Sequence, residues 1–358
     1  MIKPDEDQRS SHSPEPLDSA LTRPSGSLRA LSDGVSNGHV IGVDIGGTNV
    51  RIALADMQGR ILGRWAASTK STSSPEAVVT QICHGVEHLL QEATIQRNSL
   101  LAIAAGAPGV TDRDAGVVFA TSYLNGWRDV PLGHLLESAL HLPAVVENDV
   151  KLAAVGENWL GTARGIRDFV FLAIGTGIAA GIFVNGQLLH GPDWVAGEVG
   201  YLMVPGAPEA PAQQGVPGSL ESVIGGEAIS QRWLQSCNGQ RISGDKDLTA
   251  TDIFCRAQEG DPHAQRILDQ SARILAYAVY NISVVLNSSL FVLGGGVGMS
   301  KVLLAATQSI LDQYTQPSRP KLILSALGHD AQLIGAIRLA LDKAESQADV
   351  KLQESGRC

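Results

Sequence analysis

Aromatic residues make up only 4% of this 358-residue chain, and cysteine occurs four times, at Cys83, Cys237, Cys255 and Cys358, never as a close pair. That scatter supports neither a disulfide framework nor a cysteine-based zinc site, and it fits a reducing, cytoplasmic compartment. Basic residues are the minority, 27 Lys and Arg against 36 Asp and Glu for a net charge of −9, with no basic stripe. Nucleic acid is therefore not an expected partner. Long apolar runs are missing too. No stretch reaches the roughly 18 residues that cross a bilayer, and Leu100–Val110 is interrupted by Gly106, Pro108 and Gly109. Residues 1–38, rich in Ser, Pro, Asp and Glu, lack the hydrophobic segment of a secretion signal and read as a disordered tail. The expectation is a soluble chain without a membrane partner. At 44% hydrophobic it is long enough for two domains.

Two matching glycine-threonine elements stand out: Val43-Asp44-Ile45-Gly46-Gly47-Thr48-Asn49 and Ala173-Ile174-Gly175-Thr176-Gly177. Each lies between two apolar runs, so each reads as a tight turn joining two strands. Glycine lets backbone N–H groups approach a phosphate, and the threonine hydroxyl adds a donor. One such turn is weak evidence. Two in the same strand-turn-strand setting suggest a duplicated nucleotide-binding fold clamping one polyphosphate.

The surrounding pattern repeats as well. Val40–Ile45 and Val50–Ala55 read as strands, with a turn at Gln58-Gly59 before Ile61-Leu62. Phe169–Ile174 and Gly181–Val184 follow the same plan, with Asn185-Gly186 before Gln187-Leu188-Leu189. Asn-Gly between apolar runs signals a hairpin, because both central positions of a type I′ turn need positive φ. Leu101–Ala105, Ala144–Val146 and Leu290–Leu293 read as further strands. Helical periodicity covers Pro75–Ala93, capped by Ser74, then Gly226–Cys237, Thr249–Gln258, Pro262–Leu286, Lys301–Thr315 and Gln332–Leu341. Strands alternating with helices give an α/β protein. The sequence after Ala344 is polar and reads as a frayed tail.

Three fragments carry candidate chemistry. Val145-Val146-Glu147-Asn148-Asp149-Val150 ends a strand in an amide and a carboxylate, where α/β folds place their sites. Asp149 suits a base for a hydroxyl nucleophile, and Asn148 suits orienting the same substrate. An equally weighted reading makes Asn148-Asp149 the cap of a helix beginning near Val150. Ala196-Gly197-Glu198-Val199-Gly200 is a turn with a carboxylate or a plain surface turn. In Gly215-Val216-Pro217-Gly218-Ser219-Leu220-Glu221, Glu221 is a ligand-facing residue or a charge in a helix's first turn.

Taken in order, these fragments resemble the ROK family of bacterial sugar kinases and sugar-responsive repressors, within the actin-like ATPase superfamily. The resemblance runs from about Val40 to Ala340 and includes Gly106-Ala107-Pro108-Gly109 and Leu293-Gly294-Gly295-Gly296 besides the segments above. It implies a duplicated actin-like (ribonuclease H-like) α/β fold with two lobes and a nucleotide and sugar cleft between them. The implied division is a small lobe at 39–147, completed by a C-terminal helix at 331–344, a large lobe at 148–330, and a polar tail at 345–358. It implies Asp149 as general base on a hexose 6-hydroxyl. Asn148, Glu198, Glu221 and the Gly109 loop would hold the sugar. Asp44 would hold magnesium-bound phosphates, cradled by Gly46, Gly47, Thr48, Asn49, Gly175, Thr176 and Gly177. Gly295 and Gly296 would line the adenosine pocket, and a homodimer is implied.

The chain departs from the family at its structural zinc, where Tyr201, Ala212, Gln214 and Ser219 occupy the His and Cys positions. Those side chains cannot form a soft-ligand zinc site, so no zinc is expected. The family His also lies against the sugar, so Tyr201 either replaces that contact or packs the vacated loop. The residues before Val40 are too few and too polar for a DNA-binding domain. The expected activity is ATP- and magnesium-dependent phosphorylation of glucose to glucose 6-phosphate. The alternatives are another hexose (fructose, mannose or an N-acetylated aminohexose), polyphosphate as donor, or a catalytically weak sugar sensor.

Overall fold

The computed structural model describes residues 37–69, 74–120, 124, 126–209, 216–236, 248–314 and 317–355. The expected N-terminal tail lies outside them up to residue 36, as do Ala212, Gln214, Cys237 and Cys358.

Strands β1 (His39–Ile45), β2 (Asn49–Asp56) and β3 (Ile61–Ser68) form an antiparallel meander. To β1 are added, in parallel, β4 (Leu100–Ala107) and then β8 (Ala144–Asn148), giving the order β3-β2-β1-β4-β8. The second half builds the same object. β9 (Phe169–Ile174), β10 (Ile178–Val184) and β11 (Gln187–Leu188) are antiparallel, and β12 (Leu290–Gly294) and β13 (Lys321–Leu324) join in parallel, in the order β11-β10-β9-β12-β13. The duplication expected from the two turns is present in strand order and direction. Between β4 and β8 the chain inserts a small sheet of β5 (Val110–Asp112), β6 (Val117–Ala120) and β7 (Arg128–Val130), which the sequence reading did not contain.

Helix α1 (Pro75–Glu92) starts at Ser74, whose hydroxyl accepts from Ala77 N at 3.2 Å, and buries Val78, Ile82, Val86 and Leu89 against the first sheet. Helix α2 (Leu132–Leu140) leads into β8. Helix α3 (Asp149–Trp159) follows β8 without a loop and is where the two halves meet. Its Leu152 packs with Val40, Ala102 and Ala104 of the first sheet. Its Ala153, Ala154 and Val155 pack with Phe169, Phe171, Phe183 and Val292 of the second. Small side chains on that face let α3 lie flat on the sheet.

The second sheet's other face carries α4 (Glu221–Ile224), α5 (Gly226–Ser236), α6 (Ala250–Gln258), α7 (Pro262–Leu286), α8 (Gly295–Gly298) and α9 (Lys301–Leu311). The last helix, α10 (Ala331–Ser355), returns to the first sheet, where Leu333, Ile337 and Ala340 join the cluster of Val40 and Ala53. The expected frayed tail after Ala344 is corrected here, because the helix continues to Ser355. Ala, Leu, Lys, Glu and Gln, which dominate Ala344–Ser355, hold helical conformation without an apolar stripe. Among the described residues no helix is long and apolar enough to cross a membrane.

Candidate active site

Strand register brings the candidate residues to one edge. Asp44 on β1 is level with Gly106 on β4, and Gly106 is level with Glu147 on β8, so the strands deliver Asp44, Gly106 and Glu147-Asn148 side by side. The end of β4 and the first turn of α3 pack closely, since a Cβ on Gly106 would lie 2.6 Å from Leu152 Cδ1. Asn148 is the helix cap that the sequence allowed, and the same side chain lies at the end of β8 among the candidate residues. Its Oδ1 accepts from Val150 N and Lys151 N at 3.0 Å each, and its Nδ2 donates to Gly109 O at 3.0 Å. The cap therefore ties the Gly109 turn to the end of β8.

Asp149 is the first residue of α3 and half-buried, and its Oδ1 accepts from Val150 N at 2.8 Å. Burial pushes its carboxyl up to about 7, the charges of Asp44 and Glu198 push the same way, and the Val150 N–H opposes them. A carboxylate balanced near neutrality takes and releases a proton at working pH. Asp44 is also raised by burial, and Arg51 opposes that, donating from Nε at 2.9 Å and from Nη2 at 2.6 Å to Oδ2. Arg51 Nη1 reaches His329 O at 2.5 Å, just before α10.

Across from this edge, Glu198 and Glu221 are both raised by burial. Lys151 lowers Glu198, and the Ile178 N–H, 3.0 Å from Glu221 Oε2, lowers Glu221. Tyr201 ends a short turn, Val199–Tyr201, and burial together with Glu198 and Glu221 raises its phenol. Ser219 is buried and its hydroxyl donates to Pro208 O at 2.7 Å. Among the described residues no group of three or more His, Cys, Asp or Glu is placed to hold a metal ion.

The glycine turns sit where the duplication puts them, one on each sheet. Gly46 N donates to Asn49 O at 2.8 Å across Gly47-Thr48, and Asn49 Nδ2 donates to Thr48 Oγ1 at 3.2 Å. Gly175 N donates to Gly177 O at 2.9 Å across Thr176, and Gly226 N donates to Gly175 O at 2.7 Å. The Gly294 end of β12 lies level with Ala173, beside that second turn. Space is open beyond Gly175 and Gly296, while a Cβ on Gly295 would meet Ile174 O at 2.5 Å.

The ROK family profile matches residues 40–343. The chain belongs to the ROK family. It is 32% identical to a glucokinase of Halalkalibacterium halodurans over 82% of this chain and 92% of that protein. An N-acetylmannosamine kinase of Shigella flexneri is 31% identical over 84% and 98% of the two chains. Among solved structures, a ROK family glucokinase from Streptomyces griseus in complex with glucose and AMPPNP superimposes with a TM-score of 0.70, at 27% identity, over 85% of this chain and 99% of that one. This ROK protein is a sugar kinase with the duplicated actin-like fold.

Sequence reasoning passed over Arg51, Lys151 and His190. Lys151 did carry a signal: it is a basic residue set between the apolar Val150 and Leu152. Arg51 and His190 carried none, because their partners Asp44 and Glu147 are set by sheet register and a distant loop.

Proposed function

We propose that this ROK kinase transfers the γ-phosphoryl group of ATP to the 6-hydroxyl of a hexose, with glucose as the leading substrate. The observation that carries the proposal is Asp149: a carboxyl at the sheet edge, with a proton affinity near neutrality, beside Asp44 and facing the field of Glu198. In the reaction Asp149 accepts the hydroxyl proton as the sugar oxygen bonds to phosphorus and the bond to the ADP oxygen breaks. Asn148, Glu198 and Glu221 bind ring hydroxyls, and burial of both glutamates makes each hydroxyl hydrogen bond strong. Tyr201 reaches the same pocket with one hydroxyl that both donates and accepts.

The phosphates lie between Gly46, Gly47, Thr48 and Asn49 on one side and Gly175, Thr176 and Gly177 on the other, with Gly295 and Gly296 toward the adenosine. Asp44 suits magnesium: both Arg51 nitrogens converge on Oδ2, which leaves Oδ1 to a hard cation or its water. Magnesium, when bound, supplies charge neutralisation of the transferring phosphoryl group. The glucokinases of H. halodurans and S. griseus support glucose, and the S. flexneri relative makes N-acetylmannosamine the second sugar to assay.

Coupled detection of ADP release with ATP and magnesium, across glucose, mannose, fructose and N-acetylmannosamine, tests the proposal. Glucose-dependent turnover that is lost in Asp149→Asn supports it. Turnover confined to another sugar replaces the substrate and keeps the mechanism. No turnover with any sugar sinks it.

A further inference from the structure

Glu147 and Lys151 flank Asn148-Asp149, yet neither has a task in the chemistry above. Both point their charges at the same distant segment, the 190–198 loop that ends in Glu198. Glu147 is fully buried, and its Oε2 lies 2.7 Å from His190 Nε2 at the loop's start. Lys151 is 3% exposed, and its Nζ donates to Trp194 O at 2.9 Å in the loop's middle. An ammonium is not buried without compensation, and here that compensation is one loop carbonyl plus the nearby charges of Glu147 and Glu198.

The loop itself is held in a demanding shape. Trp194 has φ 64, a left-handed conformation costly for a bulky residue, and such strain persists only where surroundings enforce it. Its indole meets the His190 ring edge-on at 5.4 Å. Ala196 N donates to His190 O at 3.1 Å, and Ala180 N donates to Gly197 O at 2.8 Å, which ends the loop on β10. The two anchors from the β8–α3 junction thus reach across from the first sheet to a loop of the second.

We propose that Glu147 and Lys151 are positioning residues that clamp the 190–198 loop, fixing Glu198 relative to Asp149 before the sugar arrives. The proposal rests on the reading of Glu198 as a sugar ligand. The catalytic junction then sets both the base and, at a distance, the ligand that orients its substrate. A preorganised loop lowers the ordering cost of binding, so its loss is read in sugar affinity more than in turnover.

The test uses the full chain with Lys151→Met, His190→Leu and His190→Gln, the last retaining a donor for Glu147. Hydrogen exchange on the ligand-free protein is expected to quicken about tenfold in residues 191–198 for Lys151→Met and His190→Leu, with α1 and α7 unchanged. Sugar KM is expected to rise about tenfold while ATP KM stays constant and kcat falls less than about threefold, and His190→Gln is expected to recover most of the loss. Unchanged exchange in that segment overturns the clamp, whatever the substrate. Faster exchange with unchanged sugar KM overturns the positioning role. A wild-type chain that neither turns over nor binds any hexose overturns the reading of Glu198 and this proposal with it. That failure is distinct because it is read on the unsubstituted protein.

Discussion

At Asp149 the burial that raises proton affinity also makes ionisation a cost to the fold. The carboxyl titrates near 7 in the folded chain and near 3.9 when unfolded. The stability linked to its proton is therefore fully present below about pH 4 and lost as pH rises through 7. Asp149→Asn carries no such loss. Its stability relative to wild type is expected to grow from pH 4 to pH 7 and level off above, at about 2 kcal/mol once the partial exposure of the site is discounted. The same variant is expected to lose about 10²- to 10⁴-fold in kcat with sugar affinity within a few-fold. Calorimetric unfolding at several pH values and steady-state kinetics check both, and a variant less stable than wild type at pH 8 would contradict the linkage. A second consequence concerns Asp44, whose charge helps raise Asp149. The acid limb of the kcat/KM profile for sugar is expected to fall with a midpoint near 7, and Asp44→Asn to move that midpoint down in whatever activity survives.

At the scale of elements, local signals and register divide what was legible. Helix α7 was legible to both ends, because Asp261 caps it, Pro262 opens it and Asn287 at φ 52 closes it. The Asn185-Gly186 hairpin was legible for the same kind of reason, with φ of 55 and 79. Gly186→Ala is expected to cost about 1 kcal/mol in chemical denaturation, the ordinary cost of a Cβ in a left-handed turn. The β5–β7 sheet was not legible: its strands are three or four residues long and lack an extended alternation. The candidate site divides likewise. Asn148, Asp149, Glu198 and Glu221 were readable as polar residues in apolar settings, whereas Arg51 and His190 acquire partners only once β1 meets β2 and the 190–198 loop meets β8.

For the whole molecule the question is what joins two copies of one sheet into one body. The described contacts point to α3 and α10. They cross so closely that a Cβ on Gly335 would lie 1.9 Å from Leu152 O, a backbone atom that cannot yield. At the far end of α3, Glu157 is fully buried: Oε1 accepts from Ser325 Oγ at 2.5 Å and Leu327 N at 3.0 Å, and Oε2 from Thr162 N at 2.7 Å. Ser325 and Leu327 follow β13 of the second sheet and lead into α10, which packs on the first. One carboxylate thus satisfies three donors where the chain passes from one half to the other. Glu157→Leu leaves the buried Ser325 hydroxyl and the partly buried N–H groups of Leu327 and Thr162 without their acceptor, at about 1–3 kcal/mol each in the limit. The expected result is a loss of about 3 kcal/mol or more. Because α3 is packed against both sheets, that loss is expected to appear as one cooperative transition at lower Tm in calorimetry, not as two. A trace that splits into two separated transitions in Glu157→Leu, or already in the wild type, would show that each sheet holds its own stability and that the α3–α10 crossing does not couple them.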